Sequence, residues 1–124
     1  MDNSKYTILI VEDEVDLLEI CIDFFELEGF SVLAARNGTE ALELFLAEDI
    51  DIILSDSKMP KMNGLELLNE LNECNKTIPP FFLITGDIAL SEEELVSKGG
   101  AGIISKPFDL TEVINKVNST LSES

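Results

Sequence analysis

The sequence predicts an α/β fold in which a five-stranded parallel sheet is doubly wound, with helices on both faces. Five short apolar runs alternate along the chain with five longer segments whose apolar residues recur at helical spacing. The short runs are apolar at consecutive positions, as expected for strands that are buried on both sides. Neither repeats nor low-complexity linkers interrupt this alternation, so we expect a single domain over residues 1–124.

The first two strand–helix units follow from clear changes of pattern. Residues 7–11 form an apolar run that is too short for a helix, and residues 14–28 follow with helical spacing until Gly29, which is placed to end that helix. The apolar side chains at this spacing are Val15, Leu18, Ile22 and Phe25, and Cys21 among them is interpreted as a small core residue. Residues 31–35 form the second strand, and Asn37 is placed to cap a second helix. Its inward-facing residues are predicted to be Ala41, Leu42, Phe45 and Leu46.

The remaining units repeat the same alternation. The strands are predicted at residues 52–55, 81–85 and 102–105, and the first of them ends at Asp56. A third helix is predicted from about residue 65 to residue 73. Capping-box signatures, Ser91 with Glu94 and Asp109 with Glu112, are predicted to start the fourth and fifth helices. Residues 120–124 are predicted to fray.

Composition excludes several classes of function. The formal net charge of −17 argues against nucleic acid and anionic membrane as direct partners, because both would repel this surface. The chain contains no histidine, which excludes a Ser-His-Asp triad and any role as a phosphohistidine donor. No apolar run is long enough to span a bilayer, and the first residues lack the pattern of a signal peptide. We therefore expect a soluble, cytoplasmic protein, and the start at Met1 favours a true N-terminus.

Polar side chains gather at the predicted ends of four strands. Glu12 and Asp13 follow the first strand, Asp56 ends the third, Thr85 ends the fourth and Lys106 follows the fifth. In an open parallel sheet, ligands bind beyond the carboxyl ends of the strands. Two carboxylates 4 Å apart repel by about 1 kcal/mol in water and by about 4 kcal/mol at an effective dielectric near 20. Such a cluster requires cations, and oxygen ligands without histidine or thiolate favour Mg²⁺ over zinc.

Each of these residues has a simpler interpretation when taken alone. An acid after a strand often caps the next helix, as Glu12 or Asp13 could do for the helix that starts near residue 14. Their joint placement at one edge of the sheet favours the functional interpretation.

With these residues, the chain resembles the receiver domains of bacterial response regulators, which are CheY-like in fold. The resemblance is carried by residues 8–14 (ILIVEDE), 51–64 (DIILSDSKMPKMNG), 83–86 (LITG) and 105–108 (SKPF). It implies a flavodoxin-like strand order, 2-1-3-4-5. It also implies a cis peptide bond before Pro107 and, at Gly86, space for an incoming phosphohistidine.

The resemblance implies a role for each residue of the edge. Asp56 would accept a phosphoryl group, with Thr85 and Lys106 contacting its oxygens. Asp13 would bind Mg²⁺ directly, together with Asp56, and Glu12 would act mainly through a water. The backbone carbonyl of Lys58 would be a further metal ligand. Phosphoryl transfer depends on positioning and charge neutralisation, which a metal and a lysine supply.

Two positions depart from the family pattern. Many members carry Tyr or Phe three residues before the active-site lysine, where this chain has Ile103. We hypothesise weaker or differently routed signalling to the face formed by the fourth helix, fifth strand and fifth helix; simple packing of a branched side chain is the alternative. Lys58 follows Asp56 by two residues and Asp87 follows Thr85 by two, which places both at the rim of the predicted pocket. If they pair across its entrance, we expect hydrolysis of the acyl phosphate to be hindered.

The function predicted from the sequence is therefore that of a signalling phosphoacceptor in a two-component system, and not of an enzyme. The donor would be a histidine kinase or a phosphotransfer protein, and the target a downstream protein or an output domain. The alternatives are an aspartyl-phosphate phosphatase and an adaptor that is never phosphorylated. Such phosphatases need a carboxylate two residues after the nucleophile, where this chain has Lys58. The complete set of site residues argues against the adaptor.

Overall fold

The computed structural model of the protein describes residues 6–87 and 89–122, and in them a single parallel sheet lies between two layers of helices. The strands are β1 (Thr7–Val11), β2 (Ser31–Ala35), β3 (Ile52–Asp56), β4 (Phe81–Thr85) and β5 (Gly102–Ser105). The helices are α1 (Val15–Leu27), α2 (Gly38–Ala47), α3 (Gly64–Asn72), α4 (Glu92–Ser97) and α5 (Leu110–Ser122). The strand order is β2-β1-β3-β4-β5, so the predicted fold class is confirmed.

The core is divided between the two faces of the sheet. Ile8 and Ile10 of β1 belong to one buried cluster, with residues of α1 and α5 such as Phe25 and Val117. The alternate residues of β1 belong to the other cluster, which includes residues of α2, α3 and α4. Successive side chains of a strand point to opposite faces, so a sheet that is covered on both faces needs apolar residues at consecutive positions. This arrangement explains the pattern from which the fold was predicted.

The helix termini confirm the three predicted caps and correct the bonding partner of one of them. Asn37 accepts a hydrogen bond from the Glu40 amide at 2.8 Å, and Ser91 accepts one from the Glu94 amide at 3.1 Å. Asp109 caps α5 as predicted, but it accepts from the Thr111 amide at 2.8 Å, and the partner predicted for its capping box was Glu112. The sequence analysis missed a capping box at α3, where Asn63 and Glu66 bond each other's backbone amides.

Two expectations about burial and order are wrong. Leu46 was predicted to face inward but is 57 % exposed, because it lies about 100° round the helix from the buried Phe45, in the last turn of α2. Fraying was predicted from residue 120, yet α5 continues to Ser122. Leu121 is buried in the same cluster as Phe25, which anchors this last turn. Residues 123–124 lie outside the described part of the chain.

No helix in the described ranges is both long and apolar enough to cross a membrane.

The C-terminus of α2 is stabilised by a lysine from a distant loop. The last turn of α2 contains no basic residue. Lys76 donates hydrogen bonds to the carbonyl oxygens of Phe45, at 2.5 Å, and Glu48, at 2.9 Å. Its Nζ also lies 5.0 Å from the centre of the Phe45 ring. One cation thus satisfies two carbonyl groups at the negative end of the helix dipole.

We expect Lys76→Met to lower the free energy of unfolding by about 1–2 kcal/mol, since the substitution removes charge-assisted hydrogen bonds and keeps the apolar stem. Urea denaturation followed by circular dichroism measures this difference. Lys98→Met is the matched control, because the Lys98 side chain makes no bond within the described residues. Equal stability of the two variants would contradict the proposed role of Lys76.

Candidate functional site

Three carboxylates meet where β1 and β3 end. Glu12 and Asp13 directly follow β1, and Asp56 is the last residue of β3. The two strands are parallel neighbours, with Val11 paired to Ser55. One oxygen from each carboxylate lies within 4.8 Å of the other two. The structure therefore brings together the three acids that the sequence analysis selected.

The cluster is partly removed from solvent. Asp56 is 4 % exposed and Glu12 is 5 % exposed, whereas Asp13 is exposed. Glu12 Oε2 accepts a hydrogen bond from the Glu14 amide at 3.0 Å. Burial raises the pKa of Glu12 to about 7, and the charge of Asp56 adds to this rise, while the bond from Glu14 opposes it. The two buried carboxylates, Glu12 and Asp56, are largely shielded from water, so a cation beside them would be favourable.

Lys106 supplies one positive charge to the cluster. Its Nζ lies 2.7 Å from Asp56 Oδ1. This contact is the only ion pair among residues 6–87 and 89–122. The contact is an ion pair, and its geometry is not that of a hydrogen bond. Burial lowers the pKa of Lys106, but the interaction with Asp56 outweighs burial, and the pKa ends above its usual value.

Backbone contacts at the end of β4 fix the positions of Lys106 and Thr85. The Lys106 amide donates to the Thr85 carbonyl at 2.9 Å, and the Lys106–Pro107 bond is cis, as the resemblance implied. Thr85 is the last residue of β4 and is buried. Its Oγ1 accepts a hydrogen bond from the Asp87 amide at 3.0 Å, and no described residue accepts its proton. The hydroxyl proton is therefore available to a ligand at this edge of the sheet.

The loop after Asp56 is fitted closely to the end of β3. A Cβ on Gly64 would lie 2.6 Å from the Asp56 carbonyl oxygen and would also overlap the Leu83 side chain. The Gly64 amide donates to the Ser57 carbonyl at 3.0 Å. The sequence analysis placed Gly64 in the loop but missed this close approach. Its signal is the pair Asn63-Gly64, a helix cap followed by a residue without a side chain.

The structure shows where the two departures from the family pattern, Ile103 and the pair Lys58 and Asp87, are placed. Ile103 is partly buried and packs against the core on the α2–α3–α4 side of the sheet. Lys58 and Asp87 line one cleft, but they form no ion pair within 4.0 Å, so the condition for hindered hydrolysis is not met in this structure. Asp87 Oδ1 instead accepts a hydrogen bond from the Ala89 amide at 2.9 Å, which turns its carboxylate toward its own loop.

The donor set suits a hard divalent cation. Every candidate ligand atom in the cluster is a carboxylate oxygen, and Asp56 Oδ1 is a buried acceptor without a hydrogen bond among the described residues. Mg²⁺ prefers a few carboxylates and completes its coordination with water or phosphate oxygens. The residues present therefore fit Mg²⁺.

A family model described as "Response regulator receiver domain" matches residues 8–118, which include every site residue named above. The chain belongs to this family. Receiver domains are signalling domains of two-component response regulators, and the family binds Mg²⁺, with which the acidic cluster is consistent.

Relatives of known name and structure cover nearly the whole receiver domain. Response regulator SaeR of Staphylococcus aureus is 33 % identical over 115 residues, which is 93 % of this chain but 50 % of that protein. The chain thus spans about half the length of the curated relatives that it matches. The Francisella response regulator 1452 receiver domain has a TM-score of 0.86 and 26 % identity, over 95 % of this chain and 98 % of that one.

A third relative was solved with a ligand. It is response regulator protein TrrA of Thermotoga maritima, in complex with Mg²⁺-BeF. Its TM-score is 0.80 at 29 % identity, over 93 % of this chain and 98 % of that one.

Proposed function

We propose that Asp56 of this receiver domain accepts a phosphoryl group from a phosphohistidine, with Mg²⁺ held at the acidic edge. The metal ligands would be Glu12, Asp13, Asp56 and the Lys58 carbonyl, Glu12 mainly through a water. The observation that carries the proposal is the cluster itself. Carboxylate oxygens of Glu12 and Asp13 lie within 4.8 Å of an oxygen of the buried Asp56. The Nζ of Lys106 lies 2.7 Å from Asp56 Oδ1.

The chemistry requires little of the protein beyond position and charge. A carboxylate oxygen of Asp56 forms a bond to phosphorus, and the phosphorus–nitrogen bond of the donor breaks, its electron pair returning to the imidazole. A bound Mg²⁺ would neutralise charge on the phosphoryl oxygens during transfer. Lys106 pairs with one of these oxygens, and the Thr85 hydroxyl donates to another. No group of the chain has to abstract a proton from a nucleophile, because Asp56 attacks as a carboxylate.

The charge distribution supports a protein donor that has basic groups near its phosphohistidine. The outward side of α1 carries Asp16, Glu19, Asp23 and Glu26, and α1 has no basic residue. Beside it, a groove of about 590 Å³ runs from Lys106 past Phe108 to Leu17. A Cβ on Gly86 would meet only Lys106 Cβ, at 3.8 Å, so this glycine leaves the entrance open. The partner in this proposal is a histidine kinase or a phosphotransfer protein.

On the output side, phosphorylation would switch the face formed by α4, β5 and α5, which would contact a downstream protein or an output domain. Phosphorylation adds about −1.5 to −2 charges beside Thr85 and Lys106. Both residues lie at the ends of the strands that lead into this face. We place the protein in the cytoplasm, as a single receiver domain over residues 1–124 and without an enzymatic turnover of its own. A phosphatase remains disfavoured, since Lys58 occupies the position of its second carboxylate.

Incubation with acetyl phosphate and Mg²⁺, followed by intact mass measurement, tests the proposal. We expect the mass of one phosphoryl group on the protein, and none on the Asp56→Asn variant, because the amide is not a nucleophile. Chelation of Mg²⁺ by EDTA should prevent the modification as well. Asp51→Asn is the matched control, since Asp51 lies before the same strand and bonds the Thr7 amide. Phosphorylation of Asp56→Asn to the level of the wild type would refute the assignment.

A further inference from the structure

The free edge of β5 is closed by two charged side chains at Ile103. β5 is the last strand of the sheet, so only one of its sides pairs with another strand. The Ile103 amide donates to Glu92 Oε2 of α4 at 2.9 Å, and the Ile103 carbonyl accepts from Lys116 Nζ of α5 at 3.3 Å. The backbone groups of this residue would otherwise face solvent, as those of edge strands do.

The Glu92 carboxylate also lies close to Gly102, the residue that precedes Ile103. A Cβ on Gly102 would lie 3.3 Å from Glu92 Oε2 and 3.1 Å from Phe82 Cε1. A side chain at position 102 would therefore press on the glutamate carboxylate, and glycine leaves it room. The contact between α4 and β5 thus involves the Glu92 side chain of α4 and the small residue Gly102 of β5.

Glu92 is also connected to the phosphoryl acceptor site through the loop between β4 and α4. Thr85 Oγ1 accepts from the Asp87 amide, and Asp87 Oδ1 accepts from the Ala89 amide. Ser91 then caps α4, of which Glu92 is the first residue. A movement of the Thr85 hydroxyl toward a phosphoryl oxygen would withdraw the acceptor of the Asp87 amide. The loop would then be released at its first hydrogen bond, next to the start of α4.

We infer that the hydrogen bond from the Ile103 amide to Glu92 is a latch, which holds α4 on β5 in the unphosphorylated protein and opens when Asp56 is phosphorylated. This inference rests on the proposed function. It gives a route for the signal in a chain that has Ile103 where many receiver domains have Tyr or Phe, because the route uses the backbone of Ile103 and needs no aromatic side chain. A contact made in only one of two shapes biases the equilibrium between them by its own free energy.

Amide hydrogen exchange, measured by NMR with Mg²⁺ alone and with Mg²⁺ plus beryllofluoride, tests the latch. Beryllofluoride stands for the phosphoryl group on Asp56. We expect the Ile103 amide to exchange at least about tenfold faster in the beryllofluoride complex, since its hydrogen bond is lost. The Ile53 amide, which donates to the Pro80 carbonyl at 2.9 Å inside the sheet, should keep its rate.

Variants of Glu92 separate a latch from mere protection of the strand edge. Glu92→Ala removes the acceptor, and we expect it to reach half-saturation at about fivefold lower beryllofluoride concentration, because only the unphosphorylated shape loses a hydrogen bond. Glu92→Gln keeps an acceptor and should differ from the wild type by less than about twofold. Glu93→Ala, an exposed neighbour with the same charge, is the control and should match the wild type. Edge protection alone would leave beryllofluoride binding unchanged in all three variants.

Equal exchange of the Ile103 amide in the two states would overturn the latch, as would equal beryllofluoride binding by Glu92→Ala and Glu93→Ala. In either case, a shift of the Gly86 amide on addition of beryllofluoride would still support the proposed function. Absence of that shift would overturn the proposed function together with the latch.

Discussion

Replacing Lys106 with methionine is expected to slow phosphorylation by acetyl phosphate about 100-fold and to tighten Mg²⁺ binding by roughly tenfold. Both effects follow from one contact, because Lys106 Nζ lies 2.7 Å from Asp56 Oδ1. In phosphoryl transfer the ammonium group neutralises charge that develops on the phosphoryl oxygens, so its loss raises the barrier. Before transfer it repels a cation bound to the same carboxylate, so its loss favours the metal. Methionine keeps much of the apolar length of the side chain.

The opposite signs of the two effects make the Lys106 experiment specific. Phosphorylation is followed by intact mass against time, and Mg²⁺ affinity by titration calorimetry. Lys98→Met, which removes a lysine from the end of α4, controls for the change in net charge and should leave both quantities close to the wild type. A distorted site would weaken metal binding and slow the transfer together. Weaker Mg²⁺ binding by Lys106→Met would therefore contradict the electrostatic account.

The second large effect is expected from Gly64→Ala, which should lower the free energy of unfolding by about 3 kcal/mol. The new Cβ would lie 2.6 Å from the Asp56 carbonyl oxygen, a backbone atom that cannot rotate away. Alanine at a compatible site gains about 0.4–1 kcal/mol through the unfolded chain, which offsets only a part of this cost. Either the loop or the end of β3 has to move, and Asp56 lies at that end.

Gly86→Ala provides the matched comparison for Gly64→Ala. Its Cβ would meet only Lys106 Cβ, at 3.8 Å, which is an ordinary contact. We expect its stability to be within about 0.5 kcal/mol of the wild type or slightly higher. Urea unfolding of both variants measures the difference, and acetyl phosphate labelling below the unfolding transition should be slower for Gly64→Ala. Equal stability of the two glycine variants would show that the loop adapts without strain.

Local pattern was sufficient to predict most of the fold. The strand limits at residues 7–11, 31–35, 81–85 and 102–105 were all predicted as they are observed. The spacing of apolar residues and the residue types in these strands differ from those in the helices. Turn residues and helix caps mark the boundaries between strands and helices. The strand order came from the resemblance to receiver domains and was confirmed.

The three acids of the candidate site were also accessible without coordinates, because parallel strands direct their carboxyl ends to one edge. Glu12, Asp13 and Asp56 were selected by that rule, and their oxygens do meet. Which acid is buried is decided by the tertiary structure. Glu12 and Asp56 are covered and Asp13 is exposed, which the order of residues along the chain does not show.

Contacts between distant segments were decided by the tertiary structure alone. The bonds from Lys76 to α2, the approach of Gly64 to Asp56 and the bond from Ile103 to Glu92 each depend on how a helix or loop is placed against the sheet. Helical periodicity indicates which side of a helix faces inward, but it does not determine how far a neighbouring element extends along that side. For the same reason Leu46 satisfied the pattern and is nevertheless exposed. The sequence by itself determined the elements and the chemistry of the edge, and packing decided which side chains reach one another.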